Sequence, residues 1–258
     1  MISRASLKEF LIKKEAEYNQ PDFIKDDPIS VPHLFTKQQD IEIAGFFASI
    51  FAWGNRTTII NKTRELMQLM DMAPHQFILE SSPQKLQQLS SFKHRTFNTT
   101  DLLYFIEFLH QHYHSHKSLE EAFTKGMNKN DETVEFALRG FYDYFFSLED
   151  VPNRTRKHIA TPARGSTCKR LNMYLRWMVR RDKKGVDFGI WKKISPSQLI
   201  IPMDLHVARV AKNFDLLQRT QTDWLAALEL TKWLRELDPK DPARFDFALF
   251  ALGVIEKF

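Results

Sequence analysis

The chain has 258 residues, 43% hydrophobic and 27% charged, enough for one large core or two small ones. Its single cysteine, Cys168, excludes an internal disulfide framework and a multi-cysteine zinc site, and no apolar run reaches membrane-spanning length. The expectation is therefore a protein of a reducing cytoplasm, and no cofactor and no metal-ligating residue is assigned from the sequence. Eight glycines against 22 phenylalanines favour helices packed through aromatic rings over a turn-rich sheet protein.

In chain order, a first helix is expected from about Ser3 to Tyr18, with Leu7, Phe10, Leu11 and Ala16 inward and Lys8, Lys13, Lys14 and Glu17 outward. Asn19 to Phe35 carries the proline and aspartate clusters of a loop. Gln38 to Trp53 follows as a strongly apolar helix, with Ile41, Ala44, Phe47, Ala48 and Phe51 in register. Gly54 suits its end, and Thr58 to Met70 forms the next helix. That corner presents Trp53, Asn55 and Arg56 together, although Asn55 is equally a local turn residue. Between Ala73 and Asn98, Pro74 and Pro83 act as breakers. In Phe92-Lys93-His94-Arg95-Thr96-Phe97, aromatics alternate with cations, which suits nucleic-acid contact or, for Phe92 and Phe97, core anchoring. Three helices then fit Thr100 to His116, Leu119 to Met127 and Thr133 to Leu148. His110, His112, His114 and His116 are read as surface residues.

From Val151 to Lys193, thirteen Lys or Arg residues stand against Asp182 and Asp187 alone, so this segment carries +11 and the remainder −6. Such concentration suits a polyanion-binding face, a solvated basic face being the plainer alternative. Within it, the helix from Cys168 to Arg180 puts Lys169, Asn172, Met173, Arg176 and Arg180 on a wet face. Leu171, Tyr174, Leu175 and Met178 lie opposite. A connector with two glycines leads to Ile200-Ile201-Pro202-Met203-Asp204-Leu205-His206-Val207-Ala208-Arg209-Val210, where Asp204 is placed to cap a helix. Helices from Thr222 to Leu237 and from Pro242 to Glu256 finish the chain. The last is apolar nearly all round, so Asp246 must be paired or line a cavity. The fold class is all-α.

The stretch Ile201 to Val210 resembles the V-P-V-D-T-H-V-x-R-V segment of the helix-hairpin-helix base-excision DNA glycosylases, whose aspartate is the catalytic carboxylate. Phe46 to Thr58 is similar to that superfamily's early helix pair, and Phe245 to Gly253 to the late helix of its base pocket. The chain as a whole resembles an uncharacterised bacterial family beside these enzymes, marked by AWGNRTT, FKHRTF, CKRLNMYLRWMVR, IPMDLHVARV and DPARFDFALF. The usual glycine-rich hairpin, L-P-G-V-G-x-K-T-A, is missing, and the longer connector Asp182 to Pro202 stands in its place, so whether this altered hairpin binds a metal ion stays open. The archaeal 8-oxoguanine glycosylases are similar in having an altered hairpin and a catalytic lysine upstream of the aspartate, a position that Lys169 fits.

The resemblance implies a multi-helix glycosylase-like bundle spanning residues 1–258, whose two helical subdomains, built from discontinuous segments, flank a cleft. It implies a monomer of the bacterial cytoplasm, associated with the nucleoid, acting on damaged double-stranded DNA. Lys169, less basic among the cations Arg170, Arg176 and Arg180, would attack C1′, and Asp204 would stabilise the developing charge. Trp53, Asn55, Asp246 and Phe247 would form the base pocket. Arg56, Arg95, Arg164, Arg170, Arg176, Arg180 and His206 would contact DNA, His206 being on its residue type alone equally a packed histidine. Three alternatives stay open: a monofunctional enzyme in which Asp204 activates water, a non-catalytic DNA- or RNA-binding protein, and an interaction scaffold without nucleic acid.

Overall fold

The computed structural model describes residues 4–258, so the expected helix start at Ser3 lies outside the described residues. The α-helices are, in order, α1 (Arg4–Tyr18), α2 (Pro21–Ile24), α3 (Gln38–Phe51), α4 (Arg56–Leu69), α5 (Pro74–Leu79), α6 (Pro83–Gln87), α7 (Thr99–Ser115), α8 (Glu120–Thr124), α9 (Glu135–Phe145), α10 (Lys169–Val179), α11 (Leu205–Asn213), α12 (Trp224–Leu237) and α13 (Asp246–Phe250). Short 3-10 turns lie between them, a π turn follows α13, and the described residues contain no strand. The protein is all-α, and no described helix is long and apolar enough to cross a membrane.

The chain divides into two compact units, each assembled from separate segments. The first, Lys25–Met127 with Ala137–Ala160, is organised on α3, whose residues from Asp40 to Phe51 are all buried. Phenylalanine supplies its core. Phe46 stacks on Phe105 at 5.6 Å between ring centroids, Phe105 meets Phe145 at 4.7 Å, and Phe123 lies flat on Phe141 at 4.0 Å. Each such pair adds about 1 kcal/mol beyond its area burial, so removing one fully buried ring costs about 3–5 kcal/mol. Two buried carboxylates of this unit are well matched. The fully buried Glu42 accepts from Tyr113 Oη at 2.8 Å and from the Leu119 amide at 2.9 Å. Asp101 forms a reciprocal cap with Asn98 at the start of α7 and also receives Thr155, Arg154 and His158, which fastens residues 153–158 to that helix.

Several local expectations change. Pro74 and Pro83 open α5 and α6 instead of breaking helices, because a first-turn position needs no amide donor. Phe92 and Phe97 are buried core rings. His112 is buried rather than on the surface, with its ring nitrogens 2.9 Å from the Ser118 carbonyl and 3.2 Å from Tyr144 Oη. Burial pushes it down to about 4, so it stays neutral.

The second unit comprises the described part of Met1–Ile24, Asn128–Phe136 and Thr161–Phe258. At its centre α10 is buried from Leu171 to Val179. The connector after α10 folds back along it: the amides of Phe188 and Trp191 donate to the carbonyls of Trp177 and Met178 at 2.8 and 2.9 Å. Those carbonyls belong to the last helical turn, where no further helical amide reaches them, so the connector completes the helix end. Gly189, at φ +56, makes the tight return. A Cβ there would stand 2.6 Å from Arg181 Cβ. Between Arg180 and Asp204 the one helical element among the described residues is the 3-10 turn Pro196–Gln198.

Candidate active site

Lys169 is the first residue of α10 and is aimed by the backbone before it. Cys168 sits at φ +52, in the left-handed region that costs a non-glycine residue about 1 kcal/mol or more. The turn is held by Cys168 N donating to Ser166 Oγ at 3.1 Å, by Asn172 Nδ2 donating to the Thr167 carbonyl at 3.0 Å, and by the Trp224 amide on the Gly165 carbonyl at 3.0 Å. Burial pushes the Cys168 thiol up to about 12, so it is no nucleophile at neutral pH.

Asp204 is the N-cap of α11. The buried Ile200 to Met203 lead into it, with the Ile201 amide donating to Thr231 Oγ1 at 3.1 Å. One carboxylate oxygen, Oδ1, accepts the His206 and Val207 amides at 2.9 and 3.0 Å. The other, Oδ2, lies 3.4 Å from Lys169 Nζ. The two side chains are 27% and 26% exposed, so solvent reaches them. Capping thus orients the carboxylate, and the helix starts of α10 and α11 bring an amine and an acid together.

Asp246, the first residue of α13, pairs with Arg176. Burial pushes its carboxyl up to about 6. The charges of Arg176 and Lys169 oppose that rise, and Asp204 adds to it. Phe247 lies beneath the guanidiniums of Arg176 and Arg180, at 4.3 and 5.5 Å, and meets the edge of Phe23 at 5.3 Å.

The expectation that Arg176 and Arg180 hold phosphates on a wet face is overturned. They are 3% and 2% exposed. Arg176 faces Asp187 at 3.3 Å besides Asp246, and Arg180 gathers Asp182, Asp187 and Asp241 at 2.8 to 2.9 Å and Glu15 at 3.7 Å. Burial disfavours the Arg180 charge, and these carboxylates more than restore it. A buried guanidinium leaves water only when its donors are matched in this way. Arg176 and Arg180, two of the three cations expected around Lys169, are each matched by acids.

The basic segment as a single face is corrected for the same reason. Arg154, Lys169, Arg176 and Arg180 each pair with a carboxylate outside it, and the segment crosses from one unit to the other at Thr161. Arg164, Arg181, Lys183, Lys184, Lys192 and Lys193 remain exposed in the second unit. His206 is exposed, and Arg170 is half-buried, its guanidinium pushed down to about 10 by burial.

Trp53, Asn55, Arg56 and Arg95 belong to the other unit. Asn55 Oδ1 accepts the Thr58 amide at 3.1 Å, so Asn55 caps α4, which starts at Arg56 and not at Thr58. The Arg95 guanidinium lies 4.4 Å over the Trp53 ring and covers one of its faces. Gly54, at φ +100, leaves room for that arginine: a Cβ there would meet Arg95 Nη1 at 2.2 Å.

Sequence reasoning missed Asp187, Asp241 and Glu15 as partners of the central arginines. Their only linear signal was the excess of cations on α10, which a buried helix has to match. No group of three or more His, Cys, Asp or Glu side chains among the described residues is arranged to hold a metal ion.

Residues 27–255 match a family described as a protein of unknown function, DUF2400. No curated protein and no solved structure matches the chain.

Proposed function

The chain belongs to this family of unknown function, so its chemistry is read from its own residues, and we propose that it is a DNA base-excision glycosylase that forms a Schiff base through Lys169. The substrate is a flipped damaged base, with an oxidised purine such as 8-oxoguanine the favoured class. One observation carries this reading: the 3.4 Å approach of Lys169 Nζ and Asp204 Oδ2 at two helix starts, both groups open to solvent. On this reading the two compact units correspond to the helical subdomains of a glycosylase-like bundle, and the connector 182–202 stands where the usual hairpin lies.

The ammonium of Lys169 first gives a proton to water, which leaves Asp204 as its carboxylate. The neutral amine then forms a bond to C1′ as the glycosidic C1′–N bond breaks, and that electron pair leaves with the base, which takes up a proton. The Asp204 carboxylate stabilises positive charge on the sugar while bond breaking runs ahead of bond making. The nitrogen then carries two protons; one passes through solvent to O4′ as the C1′–O4′ bond breaks under the nitrogen lone pair, giving the O4′ hydroxyl and the protonated Schiff base.

A second reading has its own support in Asp204 Oδ1, which caps α11 with two amides and so has a structural role sufficient to explain the residue. The protein would then bind DNA or RNA without chemistry, and the Lys169–Asp204 contact would be an ordinary ion pair.

Borohydride trapping on duplexes carrying 8-oxoguanine or an abasic site separates the two. The proposal expects a covalent adduct on the lesion duplex that disappears in Lys169→Ala. Base release that depends on Asp204 without any adduct makes the enzyme monofunctional. Neither adduct nor release across a panel of lesions, with duplex binding intact, overturns the enzyme in favour of the binding protein.

A further inference from the structure

The first unit carries a second cluster of chemistry that the Lys169 site does not use. Along α4, Arg56, Ile60 and Arg64 recur at four-residue spacing, and Thr57 and Asn61 lie beside them, so all five share one face of the helix. With Lys25 and Asp26 they line a surface pocket of about 240 Å³. Ile60 is buried at its floor, while Lys25, Thr57, Asn61 and Arg64 are exposed around it. Three cations and one carboxylate line the pocket, and a hydroxyl and an amide add neutral donors. The exposed Arg64 makes no ion pair or hydrogen bond among the described residues, since the acid one residue along, Glu65, is taken by Lys62 at 2.6 Å. Arg56 and Arg64 are separated by about two helical turns, about 12 Å along the axis, so the pocket offers cations spaced along an extended anion.

We propose that this pocket binds phosphate of a nucleic-acid backbone, with Arg64 and Lys25 as its principal contacts and Thr57 and Asn61 as neutral donors. This assignment rests on the nucleic-acid reading above, not on the catalytic one. Charge and donors in an open groove select phosphate without reading base identity, so the contact strengthens lesion and undamaged duplex equally. Arg56 alone was expected here from the sequence. Lys25 and Arg64 line a pocket that no linear motif marks.

The experiment is the salt dependence of binding to an undamaged fluorescent duplex, for the wild type, Lys25→Gln, Arg64→Gln and Lys117→Gln. Lys117 is an exposed cation of the same unit away from the pocket. Each pocket variant is expected to lower the slope of log affinity against log salt by about one, and Lys117→Gln to leave it unchanged. An unchanged slope in Arg64→Gln, an equal loss in Lys117→Gln, or no duplex binding by the wild type at low salt overturns the proposal. Adduct trapping at saturating protein reports the Lys169 chemistry separately. Trapping that persists while the slope does not respond removes the pocket and keeps the enzyme, and the reverse pattern removes the enzyme and keeps the pocket.

Discussion

Gly253 and His206 meet backbone to backbone: a Cβ on Gly253 would stand 3.1 Å from both the Cβ and the carbonyl oxygen of His206. The π turn after α13 thereby abuts the first turn of α11, two residues beyond Asp204. Gly253→Ala is expected to destabilise the protein by about 1–3 kcal/mol through overpacking. Because the atoms displaced belong to the turn that orients Asp204, the adduct yield should fall more than the folded fraction does. Urea unfolding beside single-turnover trapping measures both.

Asp204→Asn and Asp204→Ala separate the two jobs of this carboxylate. Asparagine caps as well as aspartate, so Asp204→Asn should stay near wild-type stability while losing base release. Asp204→Ala should lose about 1 kcal/mol as well. Denaturation midpoints of the pair, compared with their turnover, give the test.

Asp246 makes stability depend on pH in a stated direction. Its folded carboxyl titrates at about 6 against an ordinary 3.8. Between about pH 4 and pH 6 the folded state therefore holds more proton than the unfolded one, and this group's contribution falls as pH rises through that window. The melting temperature of the wild type minus that of Asp246→Asn should decline from pH 4 to pH 6 and level off above it.

Asp101 behaves in the opposite sense. Burial raises its carboxyl, but the Asn98 amide, Thr155, His158 and Arg154 outweigh burial and hold it below the usual range. Its stabilisation is complete above the unfolded value near 4 and is lost as pH falls below it. Asp101→Asn should cost about 2 kcal/mol at pH 7 and progressively less in acid, as read from urea midpoints.

What the sequence made legible was local. Asp204 before an apolar-periodic run could be read as a cap because capping is decided within three residues. The helices of the phenylalanine-rich unit could be placed because their apolar spacing repeats over fourteen residues or more in α3, α4 and α7. Arg176 and Arg180 were misread because period alone assigns them to a polar face. Their acids arrive from α1, the connector, the residues before α13 and its first residue, Asp246, and no linear pattern announces those meetings. The Arg95–Trp53 stack was hidden for a related reason: it depends on the left-handed backbone of Arg95, φ +55, and on the missing side chain at Gly54.

The carboxylates around Arg180 also bear on how the chain is made. Glu15 pairs with both Arg180 and Arg244, the latter 229 positions away, so α1 leaves the ribosome long before its partners exist. The first unit has all of its segments once Ala160 has emerged. Synthesis from the N-terminus thus lets the phenylalanine core close first, while α1 waits with an unmatched acid for nearly the whole of translation. A truncation before Asp241 leaves Arg180 and Glu15 each without one of their partners, so the segment from Asp241 to Arg244 completes a cluster that α1 begins.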